Sequence, residues 1–458
     1  MLSGRGAGLV PPRLRARPVT SDTRLPSHCD VVVVGAGIVG MSTALTLSER
    51  GLSVVVCEKG AVAGEASGRA IGWIDNTFLA PAKAPLIQRS KALWADLDRR
   101  TGLQTGYRRS GLVVPFTNTE DADRAAAWIA SLSGAQDHSD GARAGSGPCL
   151  VGRAQANDLL PAAGDPWIGA LVNDSDGYAE PKLATSALAD AFRQAGGKLF
   201  QSCAVRGIET QAGRICGVVT EKGAISAQAV VLAGGVWSPL FLGSLGIPLP
   251  QLQAFASAAS IAPVAGGPPR PGMASSLIWR NESDGGYTIG QLTGAAPITP
   301  AALRWSRAFL PALKAMWSEL DPVFGAEFWR QLHQPRRWAL DAPSPFESCR
   351  ILEPETRDWI LADARAAFGD AFMNGQTPRI REAWAGALST LPDNMPVLAP
   401  LEKMPGLFIA SGLYYGLTMG PAAGELMADL VMAQTPQVDP KLFRYERFFD
   451  GTKLVFQP

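Results

Sequence analysis

The sequence is poor in the residues that most metal and disulfide sites require. Its 458 residues include 3 histidines and 6 cysteines, and no two cysteines stand in a CxxC spacing. Without paired ligand spacing, this scarcity argues against a metal site. We interpret the scattered cysteines as reduced, mostly buried side chains of a cytoplasmic protein.

Long apolar runs and a strong charge of either sign are also missing. No run reaches the ~18–20 apolar residues that a membrane-spanning helix needs. The formal net charge is +1, and no long basic face appears, which argues against nucleic acid as the main partner. Because 47% of the residues are apolar, the sequence predicts a globular protein, and its length predicts more than one domain.

Residues 1–27 carry five arginines and a single acid, Asp22, and they lack the apolar core of a secretory signal. A mitochondrial transit peptide and a disordered extension both fit this composition. Four prolines would interrupt an amphipathic helix, so we favour the disordered extension.

The most informative feature is a strand that runs into a glycine-rich turn. An apolar strand over 30–34 leads into Gly35-x-Gly37-x-x-Gly40, which opens a helix predicted over 38–50. A second strand, predicted over 53–58, ends at an acid. This order within about thirty residues predicts a dinucleotide-binding site of the Rossmann type.

Each residue of this motif has a physical reason to be there. Gly35 permits the tight turn, Gly37 lets the backbone approach a pyrophosphate, and Gly40 lets helix and strand pack closely. The helix N-terminus offers free N–H groups and the positive end of its dipole to phosphates. Glu58 can accept hydrogen bonds from both ribose hydroxyls and would repel the 2′-phosphate of NADP.

Further along the chain, alternating periodicities predict a second strand–helix block and a separate layer. The predicted strands are 199–205, 206–210, 214–220, 254–262, 275–281 and 286–291, and residues 229–238 are predicted to form a buried strand that opens into a glycine turn. The predicted helices are 83–101, 181–195, 300–318, 322–332, 355–369 and 421–432, and residues 134–148 are predicted to form a loop rich in Gly, Ala and Ser. The layer between 250 and 350 is the natural candidate for the substrate side.

Four segments together resemble the FAD-dependent oxidoreductases of the D-amino-acid oxidase superfamily, the branch that holds glycine oxidase, sarcosine oxidase and D-amino-acid dehydrogenase. They are the GxGxxG with its acid; Glu65-Ala-Ser-Gly-Arg69; Val230-Val-Leu-Ala-Gly-Gly-Val-Trp-Ser238; and Trp384-Ala-Gly with Pro392-Asp393 and Ala410-Ser-Gly-Leu-Tyr-Tyr-Gly-Leu-Thr418. The order and spacing of all four make the resemblance specific over about 28–435.

The resemblance implies an α/β fold, with a Rossmann-like FAD-binding domain and a second, mainly antiparallel β substrate domain. The implied division is a disordered extension 1–27, an FAD-binding domain of 28–85, 173–248 and 351–435, a substrate domain of 86–172 and 249–350, and a C-terminal tail 436–458.

The resemblance also assigns residues to the cofactor, which we expect to be FAD held without a covalent bond. The expected FAD-binding residues are Gly35, Gly37, Ile38, Gly40, Glu58, Lys59, Ala66, Ser67, Arg69, Ala70, Ile71, Val205, Ala233, Gly234, Trp237, Gly412, Tyr415, Gly416, Leu417 and Thr418. In this picture Val205 ends the strand whose backbone meets the adenine. A helix starting at Pro421 points its positive N-terminus at the flavin.

On the substrate side the sequence departs from its relatives. The amino-acid-oxidising members hold a substrate carboxylate with an arginine just before the Pro-Asp pair and another among the later glycines. Here these places read Leu388-Ser-Thr-Leu and Tyr414-Tyr415-Gly416. Either another arginine serves, with Arg69, Arg280, Arg336, Arg337 and Arg350 as candidates, or the substrate is an amine whose carboxylate is distant or absent.

We expect Tyr414, Tyr415 and Arg336 to act at the reaction site. Other aromatics could complete an apolar cage around the substrate, and the candidates are Trp73, Tyr287, Trp329 and Trp338. For most of these aromatics, and for any one arginine, a purely structural position is the more common outcome.

The expected reaction is oxidation of an amine, or of an N-substituted or D-configured amino acid, by hydride transfer to flavin N5. The product is an imine that water hydrolyses, and O₂ or an electron carrier reoxidises the flavin. The alternatives are a flavin dehydrogenase acting on a hydroxy acid, a flavin-binding subunit of a multi-component dehydrogenase, and an NAD-binding protein without flavin. The sequence leaves open a homo-oligomer or a partner subunit.

Overall fold

The structure is a computed structural model that describes residues 16–133, 147–162, 164 and 166–458. The predicted loop over 134–148 lies outside these residues except for its last two positions, and so do the first fifteen residues of the predicted N-terminal extension.

The strands of the described chain are β1 Val31–Val34, β2 Val54–Cys57, β3 Trp73–Ile74, β4 Leu112–Phe116, β5 Cys149–Gly152, β6 Gly169–Asn173, β7 Gly177–Tyr178, β8 Lys198–Phe200, β9 Val205–Gln211, β10 Arg214–Thr220, β11 Gly223–Ser226, β12 Ala229–Leu232, β13 Leu252–Ile261, β14 Gly272–Ala274, β15 Leu277–Asn281, β16 Tyr287–Gln291, β17 Gly294–Pro297, β18 Leu320–Val323, β19 Ile380–Thr390, β20 Val397–Pro400 and β21 Leu407–Ser411.

The helices are α1 Ile38–Glu49, α2 Ala66–Arg69, α3 Ala84–Thr101, α4 Thr119–Ser133, α5 Arg153–Leu159, α6 Pro181–Gln194, α7 Ser238–Ser244, α8 Pro300–Met316, α9 Ala326–His333, α10 Pro345–Ser348, α11 Asp358–Phe372 and α12 Gly416–Val431.

A six-stranded sheet forms the centre of the nucleotide-binding half. Its order is β20-β21-β12-β1-β2-β8, with β1 parallel to both β12 and β2 and only β20 antiparallel to its neighbour. The buried valines of β1 and β2 place apolar side chains on both faces, as parallel strands covered on both sides require. Helices α1, α3, α6 and α12 pack on one face of this sheet.

A ten-stranded, mainly antiparallel sheet forms the second layer, in the order β18-β17-β13-β16-β15-β14-β4-β6-β5, with β19 also paired to β13. Helix α11 covers one face of this sheet through an apolar cluster that includes Phe368, Trp279 and Ile289. These two layers confirm the predicted fold class: a Rossmann-like domain joined to a mainly antiparallel sheet.

Sheet membership differs from the predicted domain division in two segments. We assigned 351–435 to the FAD-binding domain, but β19 pairs with β13 along its whole length, and α11 packs on the same large sheet. We assigned 86–172 to the substrate domain, but the apolar side of α3 packs with α1 and α12. Strand pairing and helix packing between distant segments decide these memberships, and no local pattern in the sequence predicts them.

The last helix begins five residues earlier than predicted, at Gly416 rather than Pro421. A proline inside a helix removes one N–H, so the carbonyl four residues before it loses its partner. Here that carbonyl belongs to Leu417, and the indole N–H of Trp94 donates to it at 3.0 Å. The tertiary contact satisfies the carbonyl, and the helix continues through the proline.

The predicted strand over 199–205 is shorter in the structure, because β8 ends at Phe200. The chain turns at Ser202, which has φ +45°. The N–H groups of Ser202 and Cys203 then donate to carbonyls of the loop after β2, those of Gly60 and Glu58 respectively. Val205 therefore begins β9 instead of ending the preceding strand.

The second half of the predicted disordered extension lies against the nucleotide-binding half. The N–H of Arg17 donates to the Lys182 carbonyl at 2.9 Å, and the N–H of Asp22 donates to the Leu199 carbonyl at 2.7 Å. Residues 16–27 are thus held by backbone hydrogen bonds to α6 and β8, which composition alone did not indicate.

Candidate functional site

Two adjoining crevices open where β1, β2 and β12 end. The first, here called the strand-end crevice, is lined by the turn after β1, the acid after β2, the loop before α2 and the turn after β12. The second, called the tyrosine crevice, lies between the start of α1 and the start of α12. Both are lined by Gly37, Ala66, Ser67 and Ala233, so the two crevices adjoin at these residues.

The three glycines of the first turn have the geometries that the motif predicts. Gly35 has φ +106°, which favours glycine. A Cβ on Gly40 would stand 2.1 Å from the Gly35 carbonyl oxygen, so only glycine lets α1 pack this close to the turn. At Gly37 the nearest atom to such a Cβ is the Ser67 hydroxyl at 3.1 Å, and this position lines both crevices.

Glu58 lies at the strand-end crevice with its carboxylate held by the backbone. One oxygen accepts from the Ala36 N–H at 2.8 Å, and the other accepts from the Gly60 N–H at 2.7 Å. Burial raises the pKa of Glu58, while Lys59 and the two N–H groups act in the opposite direction. Each oxygen keeps further acceptor capacity for a hydroxyl group in the crevice.

Most of the predicted cofactor residues line one or both of these crevices. Those at the strand-end crevice are Gly35, Gly37, Glu58, Lys59, Ala66, Ser67, Val205, Ala233, Gly234 and Trp237. Those at the tyrosine crevice include Gly37, Ile38, Ala66, Ser67, Ala70, Ala233, Gly412, Gly416 and Leu417, together with Tyr414 from the predicted reaction site.

Five predicted cofactor residues line neither crevice, and they are Gly40, Arg69, Ile71, Tyr415 and Thr418. Gly40 is a packing position. The Ile71 carbonyl accepts from the guanidinium of Arg280 at 2.7 Å. Tyr415 is the N-cap of α12, and Thr418 lies in its first turn.

Sequence reasoning missed Glu65, whose carboxylate contacts both Lys59 and Trp237 in the lining of the strand-end crevice. Its carboxylate accepts from the Lys59 ammonium at 2.7 Å, from the Leu352 N–H at 2.8 Å and from the Trp237 indole N–H at 2.9 Å. The Lys59 ammonium also lies 4.3 Å from the centre of the indole ring. An acid directly before the Ala-Ser-Gly-Arg segment was the available signal.

Sequence reasoning also missed three residues of β19 that line the tyrosine crevice, Ala387, Leu388 and Ser389. The pairing of β19 with β13 brings them there, and the sequence carries no local signal for that pairing.

Three of the five candidate arginines are engaged in structural contacts. Arg69 is buried and donates to the carbonyls of Gly64 and Ala385 and to Glu353. Arg280 and Arg350 are likewise held by acids and carbonyls or hydroxyls, so none of the three is free to hold a substrate carboxylate.

Arg280 is 2% exposed; its guanidinium pairs with Glu180 at 2.9 Å and donates to the Thr288 hydroxyl at 3.0 Å. Arg350 pairs with Glu221 and donates to the Lys59 carbonyl. These contacts fix the loops around the crevices.

The other two, Arg336 and Arg337, are exposed. Arg336 lines a separate cleft together with Arg304 and Arg330, beyond Trp237, and it does not line the tyrosine crevice. The structure therefore does not bring Arg336 and Tyr414 into one pocket.

Of the candidate cage aromatics, only Tyr414 lines a crevice. Tyr287 belongs to the core beneath α11, and Trp338 packs edge-on against Phe346. Trp329 is 51% exposed on α9, and the Trp73 indole donates to the Trp279 carbonyl at 3.1 Å.

Tyr414 and Tyr415 contact each other edge to face, with ring centres 4.9 Å apart. Burial raises the pKa of Tyr414 to about 12 and also raises the pKa of Tyr415. Both phenols are neutral near pH 7, so either can donate a hydrogen bond but neither can act as a base.

Two negative findings apply to the described part of the chain. No three His, Cys, Asp or Glu side chains are grouped so that they could hold a metal ion. No helix within the described ranges combines the length and apolar character needed to cross a bilayer.

The residues that line the two adjoining crevices fit FAD in their chemistry. A backbone-held carboxylate stands at one end, a glycine-opened helix start lies in the middle, and an apolar crevice bordered by a tyrosine forms the other end.

Comparisons with known proteins agree with this geometry. A family model described as FAD dependent oxidoreductase matches residues 30–430. Glycine oxidase of Pseudomonas putida is 24% identical over 419 residues, covering 90% of this chain and 96% of that protein. A 4-methylaminobutanoate oxidase of Paenarthrobacter nicotinovorans is 25% identical over 433 residues, covering 94% of this chain and 47% of that protein.

Among solved structures, an L-amino acid deaminase from Proteus myxofaciens, in complex with anthranilate, superimposes with a TM-score of 0.91 at 34% identity, covering 96% of this chain and 98% of that one. The L-amino acid deaminase from Proteus vulgaris gives a TM-score of 0.88 at 32% identity, covering 94% of this chain and 100% of that one.

Proposed function

Because the chain belongs to the family of FAD dependent oxidoreductases and is an enzyme that oxidises an amine or amino acid, we propose that its substrate is an α-amino acid bound at the tyrosine crevice. The observation that carries this proposal is that the crevice lined by Glu58 adjoins the crevice lined by Tyr414 at Gly37, Ala66, Ser67 and Ala233. The similarity to two L-amino acid deaminases favours an α-amino acid, and we propose an L-amino acid rather than the amine, N-substituted or D-configured amino acid expected from the sequence.

The proposed residue roles follow from position. Glu58 holds the adenosine ribose, the start of α1 with Gly37 and Ser67 holds the pyrophosphate, and the tyrosine crevice holds the flavin ring. The bound flavin supplies the hydride acceptor for breaking a C–H bond next to nitrogen. The protein contributes orientation, a crevice that excludes water, and hydrogen-bond donors.

The proposed carboxylate contact differs from the usual arginine pair. Among the residues that the structure describes, no arginine lines the tyrosine crevice, and Arg69, Arg280 and Arg350 are engaged elsewhere. We propose that neutral donors, the Tyr414 phenol and the Ser389 hydroxyl, contact the substrate carboxylate. Neutral hydrogen bonds are weaker than guanidinium pairs, so we expect a modest affinity for substrate.

Anaerobic flavin bleaching tests the substrate class. Purified, FAD-loaded protein is mixed without O₂ with L-amino acids, D-amino acids, N-methyl amines and 2-hydroxy acids while the flavin absorbance is followed. We expect bleaching by L-amino acids. Bleaching by hydroxy acids alone would refute amine oxidation, and a protein that takes up no FAD would refute the cofactor site.

A matched pair of variants tests the role of Tyr414. Tyr414→Phe removes the phenol at the crevice, and Tyr415→Phe removes its neighbour, which does not line the crevice. We expect Tyr414→Phe to raise KM about tenfold, the effect of one lost hydrogen bond, and Tyr415→Phe to leave KM nearly unchanged. Equal effects of the two variants would contradict the assignment.

A further inference from the structure

A pair of buried carboxylates lies beneath the start of α12 and has no role in the proposed reaction. Asp75 follows β3 directly and is 6% exposed, and Asp176, in the turn between β6 and β7, is fully buried. Buried carboxylates need partners, because an unpaired charge away from water is costly.

Asp176 has a full set of partners. It accepts from the Thr77 hydroxyl at 2.6 Å and from the Asn76 N–H at 3.2 Å, and it forms a hydrogen-bonded ion pair with the ammonium group of Lys91. Its negative charge is thus stabilised where it stands.

The carboxylate of Asp75 has fewer hydrogen-bond and ion-pair partners than that of Asp176. Within the described part of the chain, the side-chain donor that reaches its carboxylate is the Thr418 hydroxyl, 3.3 Å away, and the backbone N–H of Asp75 itself also stabilises the charged form. The same hydroxyl stands 3.2 Å from the Trp73 carbonyl. A hydroxyl carries one hydrogen, so Thr418 can donate to the Asp75 carboxylate or to the carbonyl, but not to both.

The state of Asp75 therefore decides where this hydrogen points. An ionised Asp75 draws the Thr418 hydrogen towards itself. A protonated Asp75 can donate its own hydrogen to the Thr418 oxygen, which frees the threonine hydrogen for the Trp73 carbonyl. The first turn of α12 has a different local charge and dipole in the two states.

The surroundings of Asp75 place its change between the protonated and the ionised form near neutral pH. Burial, followed by the charge of Asp176, raises the pKa of Asp75 to about 7, while Lys91 and the Thr418 hydroxyl act in the opposite direction. Lys91 faces it from α3, Asp176 from the β6–β7 turn, and the phenol of Tyr415 from the N-cap of α12.

The start of α12 also borders the proposed flavin position, because Gly416 and Leu417 line the tyrosine crevice. We propose that Asp75 is a positioning residue that acts through Thr418 to couple its own proton to the electrostatic potential at the N-terminus of α12, and thereby to how readily the flavin is reduced. The inference rests on the proposed flavin site. A reduced flavin carries negative charge at the edge that a helix N-terminus stabilises, so an ionised Asp75 opposes reduction.

The test compares flavin reduction potentials of FAD-loaded wild type and Asp75→Asn, by equilibration with a reference dye at pH 5.5 and 8.5. We expect the variant to raise the equilibrium constant for flavin reduction about tenfold at pH 8.5, where it removes a charge, and to change it less than about twofold at pH 5.5. Asp174→Asn, at an exposed carboxylate paired with Arg270, serves as the matched control and should match wild type at both pH values.

A second variant keeps the test informative if Asp75→Asn folds poorly. Thr418→Val removes the hydroxyl donor, so the pH at which the reduction equilibrium changes should move upward, whereas Thr418→Ser should restore the wild-type value. Equal effects of Asp75→Asn at both pH values, or no effect at either, would overturn the inference alone. A wild type that takes up no FAD would overturn the proposed flavin site together with it.

Discussion

Replacing Gly424 with alanine should separate the two helices whose N-termini border the tyrosine crevice. A Cβ at this position of α12 would stand 2.5 Å from the Ser42 Cβ and 2.6 Å from both the Ser42 carbonyl carbon and the Thr43 nitrogen of α1. Two of these atoms belong to the backbone, so no side-chain rotation relieves the contact.

The structure sets the size of the effect. Ordinary carbon contacts lie at about 3.5–4.0 Å, so α1 and α12 must move apart by about 1 Å. Overpacking of a rigid contact costs up to about 3 kcal/mol, and the better helix propensity of alanine offsets about 1 kcal/mol of it. We expect a net loss of about 2 kcal/mol, which lowers Tm by about 2 °C in a chain of this length.

The measurement is thermal unfolding at a fixed FAD concentration, together with FAD titration followed by flavin fluorescence. We expect FAD binding by Gly424→Ala to weaken up to about tenfold, because Ile38 and Gly416, at the starts of the two helices, line the same crevice.

Gly243→Ala is the matched control. It is also a helical glycine, in α7, but a Cβ there would meet nothing within 4 Å. This variant should be as stable as wild type or more stable by about 0.5–1 kcal/mol. If Gly424→Ala behaves like Gly243→Ala in both assays, the packing argument is refuted.

Three further changes test other contacts. Arg447→Met leaves the buried carboxylate of Asp393 without its guanidinium, whose nearest N–O distance is 2.7 Å, and should cost about 3–5 kcal/mol in unfolding free energy; adding Asp393→Asn should recover much of this loss. The hydrogen bond from Arg206 holds the pKa of Glu347 at about 2, below its ordinary 4.5, so this pair stabilises the fold above pH 4.5 and the stabilisation is lost as the pH falls towards 2. Unfolding measured from pH 5 to 2 should show the gap between wild type and Glu347→Gln closing in that window, and a constant gap would contradict the assignment. Glu58→Gln should weaken FAD binding about tenfold by fluorescence titration, since the amide group cannot accept both backbone N–H groups.

Local sequence carried enough information to predict the nucleotide-binding turn. The order of strand, glycines, helix, strand and acid is set by contacts between residues close in the chain, and the φ of Gly35 and the close approach at Gly40 follow from it. The resemblance in four segments added the family and the cofactor, which the comparisons confirm.

The start of α12 shows where such reasoning stops. Proline normally marks a helix start, so the sequence favoured Pro421. The helix instead begins at Gly416, and Trp94, 323 positions away in the chain, donates to the carbonyl that the proline leaves unpaired. The local preference of proline for a helix start does not take into account this hydrogen bond between distant residues.

The sequence by itself determined the dinucleotide turn, the apolar character of the strands and the absence of arginine at the usual carboxylate positions, because each of these is a property of residue type and local spacing. Only the tertiary structure decided that Arg69, Arg280 and Arg350 are held by carbonyls and acids, that Arg336 lies apart from Tyr414, and that Ala387 to Ser389 border the tyrosine crevice. These outcomes depend on which strands pair and which buried charges meet, and such pairings join residues far apart in the chain.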